Sequence, residues 1–521
     1  MNTLSCAGKS DALRNTSHVA TSNSRHFAIP RWAIFVIIGL LVVIVRAPYL
    51  GDPAADYDEQ LYSVIGQGWL DGELPYRDRW DRKPPGLFAL YALMHAIGGA
   101  TPLAYQIPGL LCTIASAFFV FSFARKMGTE FGALVVTTLF VFNLPLFILH
   151  LGQSETFLMP LLLAQLGMFH TAFRSSDLRK VHALFGAIML SAGIALQIKY
   201  SVLPFCMMFA LLALIRLRQI GQYWRAIALK MIGYAGLGIL PTGIAIGYFA
   251  SKGAFSEFWF ANFLSILQRA PLEPDLVARY TIHITVAAFP LILFACLGFI
   301  TYRQQATAQD WRLFGLSAAF AVAGAVALLM LGHAFIHYFG PLLPFLCILA
   351  APFFSYWRSH RLFAALAVGL AIICASFPEQ MERTRSGRSA TATLSAAIKT
   401  RVPEDECLLV FDGPSSLYYL ADRCIPTRMV FPDHLTNVRE INALGIDVVA
   451  ETSRILSTRP GAIVITDGMA DPHINQNTAM LVTQALNGSY TKTDSAFLYP
   501  RNLELYVRSD LLEPEIDGAA D

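Results

Sequence analysis

The sequence predicts an all-α polytopic membrane protein with about eleven transmembrane helices and a C-terminal external α/β domain. Of its 521 residues, 55% are apolar and only 14% are charged, and the mean hydropathy is +0.50. Soluble domains carry about 25% charged residues, and a single soluble core cannot bury so much apolar surface. A soluble globular enzyme, a disordered chain and a nucleic-acid-binding protein are therefore excluded.

The distribution of the 36 acidic residues divides the chain into parts. Twenty of them follow residue 378, and eight more fall between Asp52 and Asp81. The acid-poor remainder is the membrane body. We expect a cytoplasmic N-terminal tail over 1–31, a transmembrane body over 32–378 with a charged external loop at 51–103, and an external α/β domain over 379–521.

Eleven apolar runs are long enough, or nearly so, to cross a bilayer, which takes about 17 to 25 residues. The first follows Arg25 and Arg31 and is interpreted as an uncleaved signal anchor. The apolar run at 86–99 is shorter and is predicted to lie at the membrane surface. The predicted spans are 33–45, 104–124, 131–149, 155–173, 182–198, 201–215, 231–250, 282–301, 313–332, 337–354 and 362–378.

The lysines and arginines predict the orientation, because cytoplasmic loops are enriched in them. If 86–99 does not span, basic loops such as 216–230 lie in the cytoplasm, and the opposite loops carry almost no positive charge. If it did span, every later loop would invert. The first loop and the tail are therefore predicted to share the external side.

The tail alternates between strand-like and helix-like patterns, which is typical of a small α/β domain. Cys407 and Cys424 are the only cysteine pair predicted outside the membrane on the external side. A disulfide is one interpretation, and a buried strand thiol at Cys407 is the other. The predicted strands are 406–411, 461–466 and 503–507, and the predicted helices are 417–422 and 476–486.

Acids and bases alternate through the first loop and lead directly into the apolar run at 86–99. This order places charges where the head group of a lipid would sit. A carboxylate there can act as a general base, and cations can hold a phosphate. The alternative is a solvated charged loop between two helices. The candidate bases are Asp56, Asp58 and Glu59, and the candidate phosphate ligands are Arg77, Arg82 and Lys83.

Three later features lie on the same predicted side. Glu155 stands at a span end, where a carboxylate is costly and usually functional, although a helix N-terminus also favours an acid. Lys199 is a further candidate, with snorkelling to the surface as the favoured alternative. His333 and His337 are four residues apart, but no third metal ligand is evident, so structural roles are favoured. The sequence leaves metal dependence open: a divalent metal is possible but not indicated, and no cofactor is certain.

Short motifs in the first loop and further along the chain resemble those of GT-C type glycosyltransferases that use lipid-linked sugars. The chain looks most like the rhizobial lipopolysaccharide galacturonosyltransferases, which are related to the aminoarabinose transferases of lipid A and the protein O-mannosyltransferases. The motifs that carry the resemblance are Asp58-Glu59 followed by Tyr62, Pro75-Tyr76-Arg77-Asp78, Lys83-Pro84-Pro85, Ser154-Glu155, and His337-Tyr338 before Pro341.

The resemblance implies transfer of a sugar from a polyprenyl phosphate to an acceptor hydroxyl, with inversion, outside a bacterial inner membrane. Asp58 matches the catalytic acid of the family, Lys83 matches the lysine that contacts the lipid phosphate, and Glu155 matches the acid of the second external loop. Tyr62, Tyr76, Lys199 and His337 are further candidates. The implied partners are the lipid-linked donor, a glycan, lipid A, core or protein acceptor, and membrane lipids.

The rival function is a membrane transporter or flippase of lipid-linked substrates. Transporters place ionisable residues near the middle of the bilayer at broken helices. Here the acids of the membrane body concentrate at one predicted surface. A structural membrane scaffold is the third class. The sequence favours the enzyme over both.

Overall fold

The computed structural model describes residues 30–305, 311–330, 335–469 and 473–512. Most of the predicted cytoplasmic tail over 1–31, and His333, lie outside these residues. The helices are α1 (Arg31–Arg46), α2 (Tyr57–Leu70), α3 (Pro85–Gly98), α4 (Leu103–Met127), α5 (Glu130–Leu146), α6 (Ser154–Arg174), α7 (Leu178–Leu196), α8 (Leu203–Gln219), α9 (Trp224–Ser251), α10 (Phe255–Trp259), α11 (Ser265–Gln268), α12 (Pro274–Gln305), α13 (Trp311–Met330), α14 (Leu343–Tyr356), α15 (His360–Cys374), α16 (Phe377–Arg401), α17 (Leu417–Ala421), α18 (Pro432–Thr436), α19 (Val448–Ser457) and α20 (Gln476–Ser489).

The length and apolar composition of its helices indicate that this chain is a multi-pass membrane protein. Within the described ranges, 9 helical segments are long and apolar enough to cross a membrane. Each of the eleven predicted spans contains a helix, but α5 and α14, with only 17 and 14 residues, are not among these nine segments. The run predicted at 337–354 is divided because a 3₁₀ turn over Ile336–Phe339 precedes Gly340 and Pro341. Proline lacks an amide hydrogen and restricts the residue before it, so the α-helix begins later.

The centre of the bundle is α14, whose residues from Leu343 to Ser355 are all buried. It packs against α4, α5 and α12. Lipid is as apolar as these helices, so close packing through small residues drives their association. Gly298 of α12 illustrates this, since a Cβ there would lie 2.1 Å from the carbonyl oxygen of Leu349.

The first loop contains two helices, one of which the sequence predicted. The predicted helix at 86–99 corresponds to α3, which exposes the apolar side chains of Leu93 and Ile97 by 58% and 81%. Its position at the membrane surface remains a prediction. The helix α2 was not predicted, and it begins at the N-cap residue Asp56, whose carboxylate accepts the amide hydrogen of Asp58.

The C-terminal part contains a four-stranded sheet with the order β1-β2-β4-β3. β1 and β2 are parallel, and the other two pairs are antiparallel. The three predicted strands and both predicted helices are present, whereas the edge strand β3 and the helix α19 were not predicted. The strands are β1 (Leu408–Val410), β2 (Ala462–Thr466), β3 (Tyr490–Leu498) and β4 (Arg501–Arg508).

The disulfide interpretation of the cysteine pair agrees with the structure. Cys407 and Cys424 are joined by a disulfide, with their Cα atoms 4.4 Å apart. The bond links the residue before β1 to the segment that follows α17. The amide of Leu408 also donates to the carbonyl of Cys424, at 2.9 Å.

The C-terminal part packs directly on the first loop. The amide of Trp80 donates to the carbonyl of Arg428 at 2.9 Å, and the Trp80 ring meets His434 edge to face at 4.8 Å. The amide of Ser416 donates to the side chain of Gln60 at 3.3 Å. The charged end of the first loop is therefore enclosed between the bundle and the tail.

Candidate active site

Three carboxylates at the start of α2 occupy different environments. Successive helix residues are about 100° apart around the axis, so Asp58 and Glu59 face different directions. Asp58 keeps 23% of its side chain exposed, whereas Glu59 is fully buried. Asp56 caps the helix and accepts the Gln153 amide at 2.6 Å. Of the three, Asp58 is best placed to meet a substrate.

Lys83 lies beside Asp58 at the start of α3. Its ammonium nitrogen donates to the Tyr62 hydroxyl at 2.8 Å and lies 3.4 Å from a carboxylate oxygen of Asp58. Pro84 biases Lys83 toward an extended backbone, and the Tyr76 hydroxyl donates to the Lys83 carbonyl at 2.9 Å. The lysine is thus presented from a stiff segment.

A second ion pair lies between the bundle helices nearby. Lys199 pairs with Glu155, which also accepts a hydrogen bond from Ser154 at 2.8 Å. The Lys199 ammonium lies 4.3 Å from the centre of the Tyr338 ring, a cation–π contact. Both charges are buried, which is expensive unless they are paired. The snorkelling interpretation of Lys199 is wrong, because its ammonium turns inward to this pair.

The segment that carries Lys199 approaches α3 closely at Gly86. A Cβ at Gly86 would lie 2.8 Å from the carbonyl oxygen of Gln197, so a larger residue does not fit without movement. Glycine at this position lets the start of α3 and the segment before Lys199 come together. The two ion pairs therefore belong to one region, and the charge of Glu155 acts on Lys83.

Electrostatic interactions favour the ionised form of Asp58, whereas they disfavour the ionised form of Asp56. Burial raises the pKa of Asp58, but the charges of Lys83, His337 and Lys199 outweigh it and lower the pKa to about 2. Burial and the charge of Asp58 raise the pKa of Asp56 to about 7. Environments that separate the pKa values of neighbouring carboxyls are typical of acid–base sites.

Glu59 has a different position from the one expected of a catalytic acid. One of its carboxylate oxygens accepts the amide of Gly152 at 2.7 Å, and the Tyr91 hydroxyl donates to the Gly152 carbonyl at 2.5 Å. Burial raises the pKa of Glu59 well above its usual range. These contacts favour a role in holding the segment before Glu155, while a catalytic role stays a prediction.

The predicted phosphate ligands do not all lie at one point. Arg77 is exposed and binds Asp78 through two hydrogen bonds of 2.8 and 3.0 Å. Arg82 is turned toward the tail, where it pairs with Glu440. Of the three cations, Lys83 alone contacts Asp58. Phosphate binding by Arg77 and Arg82 stays a prediction.

His337 belongs to an aromatic group. Its ring stacks with Phe335 at 5.9 Å and meets Tyr338 edge to face at 4.7 Å. Among the described residues, no group of three or more His, Cys, Asp or Glu side chains is arranged to hold a metal ion. The His337 ring nevertheless interacts electrostatically with Asp58.

Sequence reasoning missed the residues that connect this site to the rest of the chain. Glu440 also pairs with Arg269, at 2.7 Å, and is almost completely buried. Gln153 holds Asp56, as described above. Neither Arg269 nor Glu440 has a sequence signal that distinguishes it from other charged residues of the tail and of the loop before α12.

Comparisons with known proteins identify the fold. No protein-family model matches the chain, and no curated protein matches its sequence. The structure is similar to ArnT from Cupriavidus metallidurans bound to undecaprenyl phosphate, with a TM-score of 0.59 and 13% identity over 93% of this chain and 99% of that one. This is the GT-C fold.

Two weaker structural likenesses are also found. The apo state of the same ArnT has a TM-score of 0.44 and 14% identity, over 93% of this chain and 99% of that chain. An oligosaccharyltransferase of Archaeoglobus fulgidus with a tethered acceptor peptide has a TM-score of 0.48 and 10% identity, over 93% of this chain and 74% of that chain.

Proposed function

We propose that this protein is an inverting glycosyltransferase that moves a sugar from a polyprenyl-phosphate donor to an acceptor hydroxyl on the external face of a bacterial inner membrane. The observation that carries the proposal is the contact of Lys83 with Asp58 and Tyr62 at the start of α3. A cation at a membrane surface suits a phosphate whose isoprenoid tail lies in the bilayer. The adjacent carboxylate suits proton abstraction from a hydroxyl.

The chemical step is a single displacement at the anomeric carbon. The acceptor oxygen forms a bond to this carbon, and the bond from the carbon to the phosphate oxygen breaks. The phosphate keeps the electron pair, and Lys83 stabilises the negative charge that develops on it. The acceptor proton passes to the Asp58 carboxylate. Attack from the face opposite the phosphate inverts the configuration.

Donor binding also changes the pKa of Asp58. Lys83 and Asp58 lie 3.4 Å apart, so a donor phosphate that takes the ammonium competes with the carboxylate. The phosphate then neutralises the charge that lowers the pKa of Asp58. Burial, which raises this pKa, remains. Asp58 therefore becomes a stronger base when the donor is in place.

The pair of Glu155 and Lys199 suits the sugar rather than the phosphate. A buried carboxylate and ammonium together offer an acceptor and donors to sugar hydroxyls, and the pair is neutral as a unit. Tyr338 covers the Lys199 ammonium with its ring. We assign both residues to orientation of the transferred sugar, which is worth several kcal/mol in well-positioned reactions.

The fold supports the donor class, because ArnT of the same fold is bound to undecaprenyl phosphate. The short motifs of the first loop favour the rhizobial lipopolysaccharide galacturonosyltransferase branch. A lipid A or core glycan is therefore the first acceptor class to test, before an exported protein. The proposal places residues 51–103 and 379–521 in the periplasm, and the N-terminus in the cytoplasm.

The test is transfer by the purified chain in liposomes supplied with undecaprenyl-phosphate sugars and candidate acceptors, followed by the mass of the acceptor. Asp58→Asn nearly preserves volume but removes the proton acceptor, so turnover should fall by about 10²- to 10⁴-fold while donor binding persists. Asp71→Asn, at the exposed end of α2, is the matched control. Wild-type turnover in Asp58→Asn would exclude this role.

A further inference from the structure

A basic pocket lies at the far end of α6 from the candidate site. It has a volume of about 640 Å³ and is lined by Lys126, His170, Thr171, Arg174, Ser175 and Lys180. Three helix ends meet there, namely the last turns of α4 and α6 and the first turn of α7. None of these six described residues is acidic.

The length of α6 separates the pocket from the candidate site. This helix begins at Ser154, beside Glu155, and ends at Arg174 after 21 residues. At about 1.5 Å per residue it is about 30 Å long, which matches the hydrocarbon core of a bilayer. The pocket therefore lies at the opposite membrane surface, and it plays no part in the transfer reaction proposed above.

Among the described residues, the acidic residue closest in sequence to the lining residues is Asp177, which is engaged at a helix end. The Asp177 carboxylate accepts the amide of Arg179, at 2.9 Å, as the N-cap of α7. The carbonyl groups at and just after the end of α6 accept hydrogen bonds from arginines that do not line the pocket. Arg216 donates to Ala172 and Ser175, and Arg312 donates to Phe173. These arginines satisfy the helix end and add positive charge around the pocket.

We propose that this pocket binds the phosphate group of an anionic phospholipid. Lys126 and Lys180 are both exposed lysines at its rim, and the Lys126 ammonium lies 5.4 Å from the centre of the Phe123 ring. A long lysine stem beside an apolar ring places the ammonium at head-group level. Basic pockets between transmembrane helices are typical sites for anionic head groups. A free phosphate ion shares this chemistry, but the membrane supplies the lipid at the pocket itself.

The enrichment of cations in cytoplasmic loops does not account for these observations. It explains charge at this membrane surface, but it does not require a concave site where cations of three helices converge. Lysine and arginine at helix C-termini also stabilise the helix dipole. Lys180, however, stands in the first turn of α7, where the dipole disfavours a cation. An anion in the pocket offsets that cost.

The experiment measures phospholipid binding to the detergent-purified full chain by native mass spectrometry, with phosphatidylglycerol against phosphatidylcholine. We expect a preference for phosphatidylglycerol that the double variant Lys126→Gln/Lys180→Gln weakens by about 25-fold, at about fivefold for each cation. Arg225→Gln/Lys230→Gln is the matched control, because it removes two exposed cations at the start of α9. It should retain the preference.

Further variants and a competition with inorganic phosphate complete the experiment. The charge-preserving Lys126→Arg should bind like wild type, and each single glutamine variant should lose about fivefold, which keeps the test valid if the double variant is unstable. An equal loss of the phosphatidylglycerol preference in the pocket variant and in the control would overturn the assignment of the pocket as the binding site. Displacement of the lipid by millimolar inorganic phosphate would assign the pocket to the free ion and overturn the lipid assignment.

Discussion

Glu440 in the C-terminal part pairs with Arg82 in the first loop, one residue before Lys83. The same carboxylate pairs with Arg269, which follows α11. Burial raises the pKa of Glu440, but the two guanidinium groups outweigh it and lower the pKa to about 2. One buried carboxylate thus ties the tail to the loop that presents Lys83 and to the segment before α12.

Glu440→Gln should destabilise the protein and weaken donor use together. It leaves two mostly buried arginines without their counter-charge, and breaking a buried pair in this way costs about 3 to 5 kcal/mol. Thermal unfolding and transfer kinetics of the same preparation measure both effects. We expect kcat/KM for the donor to fall because Lys83 loses its support.

The control for this change is Glu451→Gln. Glu451 pairs with the exposed Arg454 three residues later, and surface pairs of this kind contribute about 1 kcal/mol or less. A stability loss at Glu440 no larger than at Glu451 would contradict the connecting role.

Lys83→Ala should reduce turnover by about 10²-fold or more, the scale of losing one transition-state donor. Lys83→Arg should restore activity only in part, because a guanidinium differs from an ammonium in shape and hydration. Initial rates at matched protein amounts give the answer. Lys252→Ala, in the exposed turn after α9, is the control lysine. Equal rates for Lys83→Ala and Lys252→Ala would remove the phosphate-binding role.

The sequence was most informative where the physics is local. Apolar run length predicted a helix in each of the eleven runs, and nine helical segments of the described residues are long enough to cross a bilayer, which imposes that length on a helix. The signal for α2 was present as well, since Asp56 and Glu59 have the spacing of a capping box. In the structure, Glu59 uses its carboxylate on Gly152 instead. The charged loop was predicted without α2, although this capping signal marks where the helix begins.

The remaining features depend on residues far apart in the chain. Arg82 and Glu440 are 358 residues apart, and their pairing follows only from how the tail packs on the first loop. The sequence likewise predicted Lys199 to be a snorkelling surface lysine. In the structure, the close approach at Gly86 brings its segment against α3. Local composition distinguishes neither from an ordinary surface charge.

The pH dependence of kcat/KM for the wild-type enzyme, which reports the free enzyme, should lack an acid limb from Asp58 above about pH 4. The charge of Lys83 helps hold the pKa of Asp58 lowered, at about 2, so the base is ionised throughout this range. For stability the sign is the same, since a lowered carboxyl pKa contributes above its unfolded value of about 3.9 and is lost as the pH falls through about 2.

In Lys83→Ala the balance changes, because burial still raises the pKa of Asp58 and the main opposing charge is gone. The residual kcat/KM should then fall with decreasing pH at a higher pH than in wild type. Lys83→Arg keeps the charge and should keep the wild-type profile. Identical acid limbs in Lys83→Ala and Lys83→Arg would show that Lys83 does not set this pKa.

The disulfide between Cys407 and Cys424 tests both the stability of the tail and the side of the membrane on which it lies. Disulfides persist in oxidising compartments such as the periplasm and are rare in the cytoplasm. Closing a loop with a sequence separation of 17 should stabilise the folded state by about 3 kcal/mol. Cys407→Ala/Cys424→Ala should therefore lower the melting temperature of the tail, and reductant should lower it equally in the wild type but not in the variant.

Alkylation of the denatured, unreduced chain directly counts the free cysteine thiols. Labelling of both cysteines in protein isolated from cells would argue against the bond and against the external placement of residues 379–521, whereas protection of both supports the side on which Lys83 and Asp58 are proposed to act.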